Sequence, residues 1–225
     1  MKQITVLLVE DHVIVREGFR KMLELEKDIA VAGEARDGRQ AILLAKKLLP
    51  DVVLMDIAMP LLNGLEATRQ LLKTFPKIKV LMLSAHSDDA YVKNATESGA
   101  VGFLLKQTSA HEVCRAIREV HSGKTFFSPS ISRRLDQFHE QASSRTGRMN
   151  KRSAELTSRE MEVLQLVAEG KANKETASEL GIGIKTVEKH REHLMEKLNI
   201  HDTAGLTRYA ISAGIIESSV QVTIV

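Results

Sequence analysis

The chain has 225 residues and a mass of 25.0 kDa, which suits one large domain or two ordinary ones and excludes a long repeat array. Its 43% hydrophobic and 27% charged residues are globular proportions and exclude a wholly disordered chain. A single cysteine, Cys114, excludes an internal disulfide, and the net charge of +3 is too small to mark a polybasic chain.

The charge is unevenly spread: +2 over residues 1–125, +4 over 126–152 and −3 over 153–225. Any nucleic-acid binding must therefore come from locally placed cations. The longest apolar runs, such as Ala41 to Ala45, fall far short of the roughly 18–20 residues that cross a bilayer. No secretory signal pattern opens the chain, so a cytoplasmic location is expected.

In chain order, five short apolar runs rich in β-branched residues appear: Ile4 to Val9, Ile29 to Gly33, Val52 to Met55, Val80 to Leu83 and Val101 to Leu105. Each is followed by residues with helical spacing, at about 13–26, 38–49, 63–74, 87–98 and 109–121. Runs without period-two alternation fit strands covered on both faces, so residues 1–122 are expected to form a five-stranded parallel, doubly wound α/β domain. Ser109 with Glu112 forms a capping-box pattern at the start of its last helix, and Cys114 falls on the apolar stripe of Val113, Ile117 and Val120. Residues 123–152 are polar and weakly periodic and are expected to be a linker, with one helix near Pro129 to Gln141. From residue 153 to 217 the pattern is all-helical and predicts a second, small domain.

In an open α/β sheet ligands gather outside the carboxyl ends of the strands. Here those ends carry Glu10 and Asp11 after the first strand, Asp56 at the third, Ser84 at the fourth and Lys106 after the fifth. Three carboxylates, a hydroxyl and an ammonium make a hard oxygen site that suits Mg²⁺ and an incoming phosphoryl group. Asp56, central in the sheet, is the expected nucleophile, and Lys106 could pair with the added charge. A dehalogenase-type phosphatase would also use an Asp nucleophile, but would be expected to hold a second acid two residues later, where Ala58 stands. His12, His111 and His121 show no metal-ligand spacing and are expected to be ordinary surface or packing residues.

The segments VLLVEDH, VVLMDIAMPLLNG, VLMLSAH and GFLLK resemble the receiver domain of bacterial two-component response regulators. The resemblance implies that Asp56 is the phospho-acceptor and that Glu10, Asp11, Asp56 and the backbone carbonyl of Ala58 surround Mg²⁺. It implies that Ser84 contacts the phosphoryl group, that Phe103 is a rotating aromatic and that Lys106 is the lysine of the site. Gln107 departs from the proline found there in many receivers, and Ala58 and His86 occupy positions that tune phosphoryl lifetime in similar proteins.

In the second domain Thr157 and Glu160 form a capping box, with Leu156 placed to staple onto Met161, and Gly170 ends the helix they begin. Asn173 can cap a short helix that stops at Gly181, and the Gly181-Ile182-Gly183 turn leads into a third helix from about Ile184 to Leu198. That arrangement is a helix-turn-helix. At about 100° per residue, Val187, Leu194 and Leu198 share one stripe, and Lys185, Lys189, Glu192 and Glu196 lie opposite. The outward face could meet DNA, or could simply be a solvated face of charge pairs.

The run LTSREMEVLQLVAEGKANKETASELGIGIKTVEKHREHLMEKLNI resembles the LuxR-type helix-turn-helix of NarL/FixJ-class response regulators. That resemblance implies DNA contacts by Lys185, Thr186, Glu188, Lys189 and Glu192, a backbone contact near Lys174, and dimerisation through a fourth helix from Asp202 to Ala213 by Leu206, Ala210 and Ala213. The expectation is a transcription factor, not an enzyme, that a sensor histidine kinase phosphorylates on Asp56 and that binds promoter DNA as a homodimer. A receiver-bearing adaptor whose helical domain binds protein is the alternative.

Overall fold

The computed structural model describes residues 3–85, 89–127 and 156–216, and the chain divides into two compact units, Met1–Lys151 and Arg152–Val225. The helix expected near Pro129 to Gln141 lies outside the described residues, as does His86.

The first unit alternates strand and helix. Its elements are β1 (Ile4–Val9), α1 (Val13–Glu24), β2 (Ile29–Ala35), α2 (Gly38–Leu48), β3 (Val52–Asp56), α3 (Gly64–Thr74), β4 (Lys79–Ser84), α4 (Asp89–Glu97), β5 (Gly102–Leu105), α5 (Ala110–His121) and β6 (Phe126–Phe127). The sheet is parallel in the order β2-β1-β3-β4-β5-β6. Six strands stand where five were expected. The additional one is two residues long, too short to carry a periodic signal, and it pairs Phe126 with Gly102 and Phe127 with Phe103.

Successive side chains of each strand alternate between two cores. Leu7, Val9, Val53, Met55, Val80, Met82 and Phe103 pack with residues of α2, α3 and α4, such as Ala41, Leu71 and Val92. Val6, Leu8, Val52, Leu54, Leu81, Leu83 and Leu104 pack with Leu23 of α1 and with Val113, Ala116, Ile117 and Val120 of α5. Burial on both faces explains the unbroken apolar runs. Cys114 is buried in the second core as expected, and burial pushes its thiol up.

The second unit contains α6 (Ser158–Ala168), α7 (Asn173–Leu180), α8 (Ile184–Leu198) and α9 (Thr203–Ser212). Thr157 caps α6 in a full box: its hydroxyl accepts from the Glu160 amide at 3.2 Å, and its own amide donates to Glu160 Oε2 at 2.8 Å. The N-cap of α7 is Ala172, not Asn173. Ala172 has no side-chain acceptor, and Glu175 alone reaches back to its amide at 2.8 Å. Asn173 Oδ1 instead accepts from Arg191 Nη1 on α8 at 3.2 Å. Gly181 closes α7 in the left-handed region at φ 62°, and Gly183 caps α8 without a side chain. Val187 and Leu194 are fully buried, as are Val163, Leu164, Leu166, Leu206 and Ala210, and α8 packs on α6 and α7. Lys197 Nζ on α8 reaches Glu160 Oε2 on α6 at 2.6 Å, which fixes the long helix against the first.

Candidate functional site

Three strand ends of the first unit meet at one acidic pocket. Asp56 ends β3 and is 1% exposed; Glu10, just past β1, is fully buried; Ser84 ends β4 and is 2% exposed. Ser84 O accepts from the Lys106 amide at 2.8 Å, which ties β4 to the chain leaving β5 and turns Lys106 toward the pocket. Lys106 Nζ then lies 2.9 Å from both Asp56 Oδ2 and Glu10 Oε2. Among the described residues no peptide bond is cis, so Gln107 follows Lys106 through a trans bond.

The charges do not balance, because three carboxylates face one ammonium. Burial, followed by repulsion from Glu10, pushes the Asp56 carboxyl up to about 7 against the pull of Lys106. For Lys106 burial opposes the charge, yet Asp56 and Glu10 hold its ammonium above the ordinary lysine value. The Lys106 shift, and the smaller part of the Asp56 shift that comes from Glu10 and Asp11, reflect surplus negative charge.

A divalent cation would relieve that surplus. Glu10, Asp11, His12 and Asp56 each offer a ligand atom, all within 4.8 Å of one another. Asp56 Oδ1 is buried and accepts no hydrogen bond among the described residues. Clustered oxygen donors with one lone pair set unused fit Mg²⁺, and Ala58, half-buried two residues beyond Asp56, is near enough in sequence to add its carbonyl.

His12 is exposed, as expected of a surface residue, and its ring also reaches the acids. Its Nδ1 lies 3.0 Å from Asp11 Oδ1 and 3.1 Å from Glu10 Oε1, and Asp11 foremost raises its pKa. No ligand spacing signals this, since the bend after β1 brings three consecutive residues together. Phe103 is fully buried in the core shared with α2, α3 and α4.

Gly64 supports the pocket from below. Its amide donates to the Ile57 carbonyl at 2.8 Å, and Asn63 caps α3 by accepting from the Glu66 amide at 2.9 Å. A Cβ at Gly64 would stand 2.0 Å from the Asp56 carbonyl oxygen.

In the second unit Lys174, Lys185, Thr186, Glu188, Lys189 and Glu192 are all exposed. The five on α8 lie away from buried Val187 and Leu194, as the helical angles require. The fourth helix lies where it was expected; of the three residues expected to pair copies, Leu206 and Ala210 are fully buried inside their own unit and Ala213 is half-buried. They lie on the inward face because α9 packs on α6.

Comparison with known proteins agrees with both halves. Residues 6–118, half of the chain, match the family model described as response regulator receiver domain, and residues 154–210 match that of bacterial regulatory proteins of the luxR family. The chain is 38% identical over 211 residues to the transcriptional regulatory protein DegU of Brevibacillus brevis, covering 89% of each chain. It is 38% identical over 217 residues to the response regulator protein VraR of Staphylococcus aureus, covering 95% of this chain and 99% of that one. A solved structure of RcsB from Salmonella enterica serovar Typhimurium, bound to promoter rprA in the presence of the phosphomimetic BeF3−, aligns with a TM-score of 0.59 at 26% identity, covering 92% and 98%. The paired carboxylates, the lysine beside Asp56 and the helix-turn-helix thus stand in a chain that belongs to the response regulators, with a receiver domain followed by a LuxR-type DNA-binding region.

Proposed function

We propose that Asp56 accepts a phosphoryl group from a sensor histidine kinase in the cytoplasm and that the modified chain binds promoter DNA as a homodimer. A single observation carries the reading: a buried carboxylate ends the central strand, with an ammonium at 2.9 Å and two further carboxylates beside it. In the transfer an Asp56 carboxylate oxygen attacks phosphorus, the bond from phosphorus to the kinase nitrogen breaks, and an acyl phosphate forms. Glu10, Asp11, Asp56 and the Ala58 carbonyl would hold Mg²⁺, which when bound offsets the charge of the transferring group. Lys106, already within reach of Asp56, pairs with the new phosphoryl oxygens, and Ser84 donates its hydroxyl to them. Phe103, fully buried in the core against α2, α3 and α4, is proposed to turn in response. This is a switch and not a turnover enzyme.

Asp56→Asn is expected to abolish labelling by a ³²P-phosphorylated histidine kinase. Base-labile label persisting in that variant would overturn the assignment.

Lys174, Lys185 and Lys189 are proposed to meet phosphates, and Thr186, Glu188 and Glu192 to face base edges in the major groove. Support comes from their shared exposure and from RcsB, similar over most of its length and bound to promoter DNA. Since the unit is net negative, each cation matters: Lys185→Ala and Lys189→Ala should each lower the slope of log affinity against log salt by about 1 across all sequences. An unchanged slope in a salt series of gel shifts would remove them from the interface. Pairing of two copies is proposed through the exposed side of α9, which carries Arg208 and Ser212, in place of buried Leu206 and Ala210.

A further inference from the structure

Glu10 and Asp11 are adjacent in sequence, and adjacent residues of a strand point to opposite faces. For both carboxylates to reach Asp56, the backbone must leave extended geometry immediately after Val9, where β1 ends. Carbonyls that leave a sheet in a buried place need new donors. Both find the same one. Arg16 Nη1, reaching back from the first turn of α1, donates to Glu10 O at 2.7 Å and to Asp11 O at 3.3 Å.

Arg16 is itself held. Its side chain is 8% exposed, and Nε donates to Glu34 Oε2 at 3.2 Å. The other oxygen of Glu34 takes Arg20 Nη1 at 2.9 Å, and Arg20 Nε donates to Glu24 Oε1 at 2.8 Å. Glu34 stands within reach because of an irregularity in β2. Val6 pairs with Val31 but Leu7 pairs with Gly33, so Ala32 is an extra residue and Glu34 falls opposite Leu8. Leu8 faces the core that contains α1 and α5. Without the extra residue Glu34 would stand opposite Val9, on the far face, out of reach of Arg16.

We infer that Arg16 is a positioning residue for the metal pocket: clamped by Glu34, its guanidinium fixes the bend after β1 that turns the Glu10 and Asp11 carboxylates onto one cation. It touches neither the metal nor the phosphoryl group. Its planar fork serves three acceptors at once, which the single ammonium of a lysine cannot do with the same reach. The inference rests on the proposed Mg²⁺ site, and the experiment separates the two.

Mg²⁺ alone is titrated calorimetrically into the full unphosphorylated chain, with the melting temperature of the metal-free protein recorded alongside. Arg16→Lys and Glu34→Gln are each expected to weaken Mg²⁺ by about tenfold or more, as loss of outer supports of metal ligands does elsewhere. Glu24→Gln, at the exposed far end, is expected to stay within about twofold. A residue that only stabilises the fold would lower the melting temperature and leave the affinity of the folded protein unchanged. Affinities within about twofold of the parent for both Arg16→Lys and Glu34→Gln would overturn the inference and leave the metal site standing. Absence of Mg²⁺ binding by the parent, or binding unaffected by Asp11→Asn, would overturn the metal site and the inference with it.

Discussion

Gly64→Ala is expected to unfold the receiver well below the parental temperature and to leave Asp56 a poor acceptor. In a helix the exchange of glycine for alanine ordinarily adds up to about 1 kcal/mol. At Gly64 the new methyl would meet the Asp56 carbonyl oxygen at 2.0 Å and its carbon at 2.9 Å, both backbone atoms that cannot swing away. Either α3 lifts, breaking the bond from the Gly64 amide to Ile57 O, or β3 bends at the residue that carries the nucleophile. A cost of about 3 kcal/mol, a fall in melting temperature on the order of 10 °C, follows from overpacking of this severity. Gly18→Ala on α1 is the matched control, because nothing lies within 4 Å of a Cβ there. It should melt slightly higher than the parent. Equal melting temperatures for the two variants, by circular dichroism, would show that the close approach at Gly64 is absent.

Asp56→Asn should melt higher than the parent at pH 8 in chelator, and the difference should vanish as the pH falls toward 4. The carboxyl has an ordinary value of 3.8 in the unfolded chain and is pushed up to about 7 when folded. Between those values the folded state binds the proton more tightly, so raising the pH costs stability, and above 7 the full penalty applies. Asparagine carries no such penalty. The ceiling on the gain is about 4 kcal/mol, from the two proton affinities. Lys106 retains Glu10 at 2.9 Å in the variant, so it is not stranded. Saturating Mg²⁺ should stabilise the parent and close the gap. A variant that melts below the parent at pH 8 would show that the pocket does not hold surplus negative charge.

Much of this was legible in the sequence, for identifiable reasons. Short unbroken apolar runs rich in β-branched residues fit strands covered twice, so the parallel sheet and its carboxyl ends followed, and with them Glu10, Asp56, Ser84 and Lys106. The outward face of α8 followed from helical angles alone. What escaped depends on contacts that only the folded backbone makes. Arg16 acquires its role only when a bulge in β2 sets Glu34 on the same side of the sheet. His12 joins the acids through a bend that no spacing rule encodes. Leu206 and Ala210 form a stripe that reads equally well as a pairing face or as core, and only the packing of α9 on α6 decides between them.

The two residues of β6 also decide where the first unit can be cut. A fragment ending at residue 122 would strip the outer neighbour from β5, and would remove Phe126, 8% exposed and overlaid by the Arg115 guanidinium at 5.1 Å from its ring. The unpaired amides and carbonyls beside Phe103 would then invite strand addition from another molecule. An isolated receiver that clumps would be reporting a misplaced scissor, whereas one carried past Phe127 keeps β5 paired and leaves only a two-residue strand at that edge.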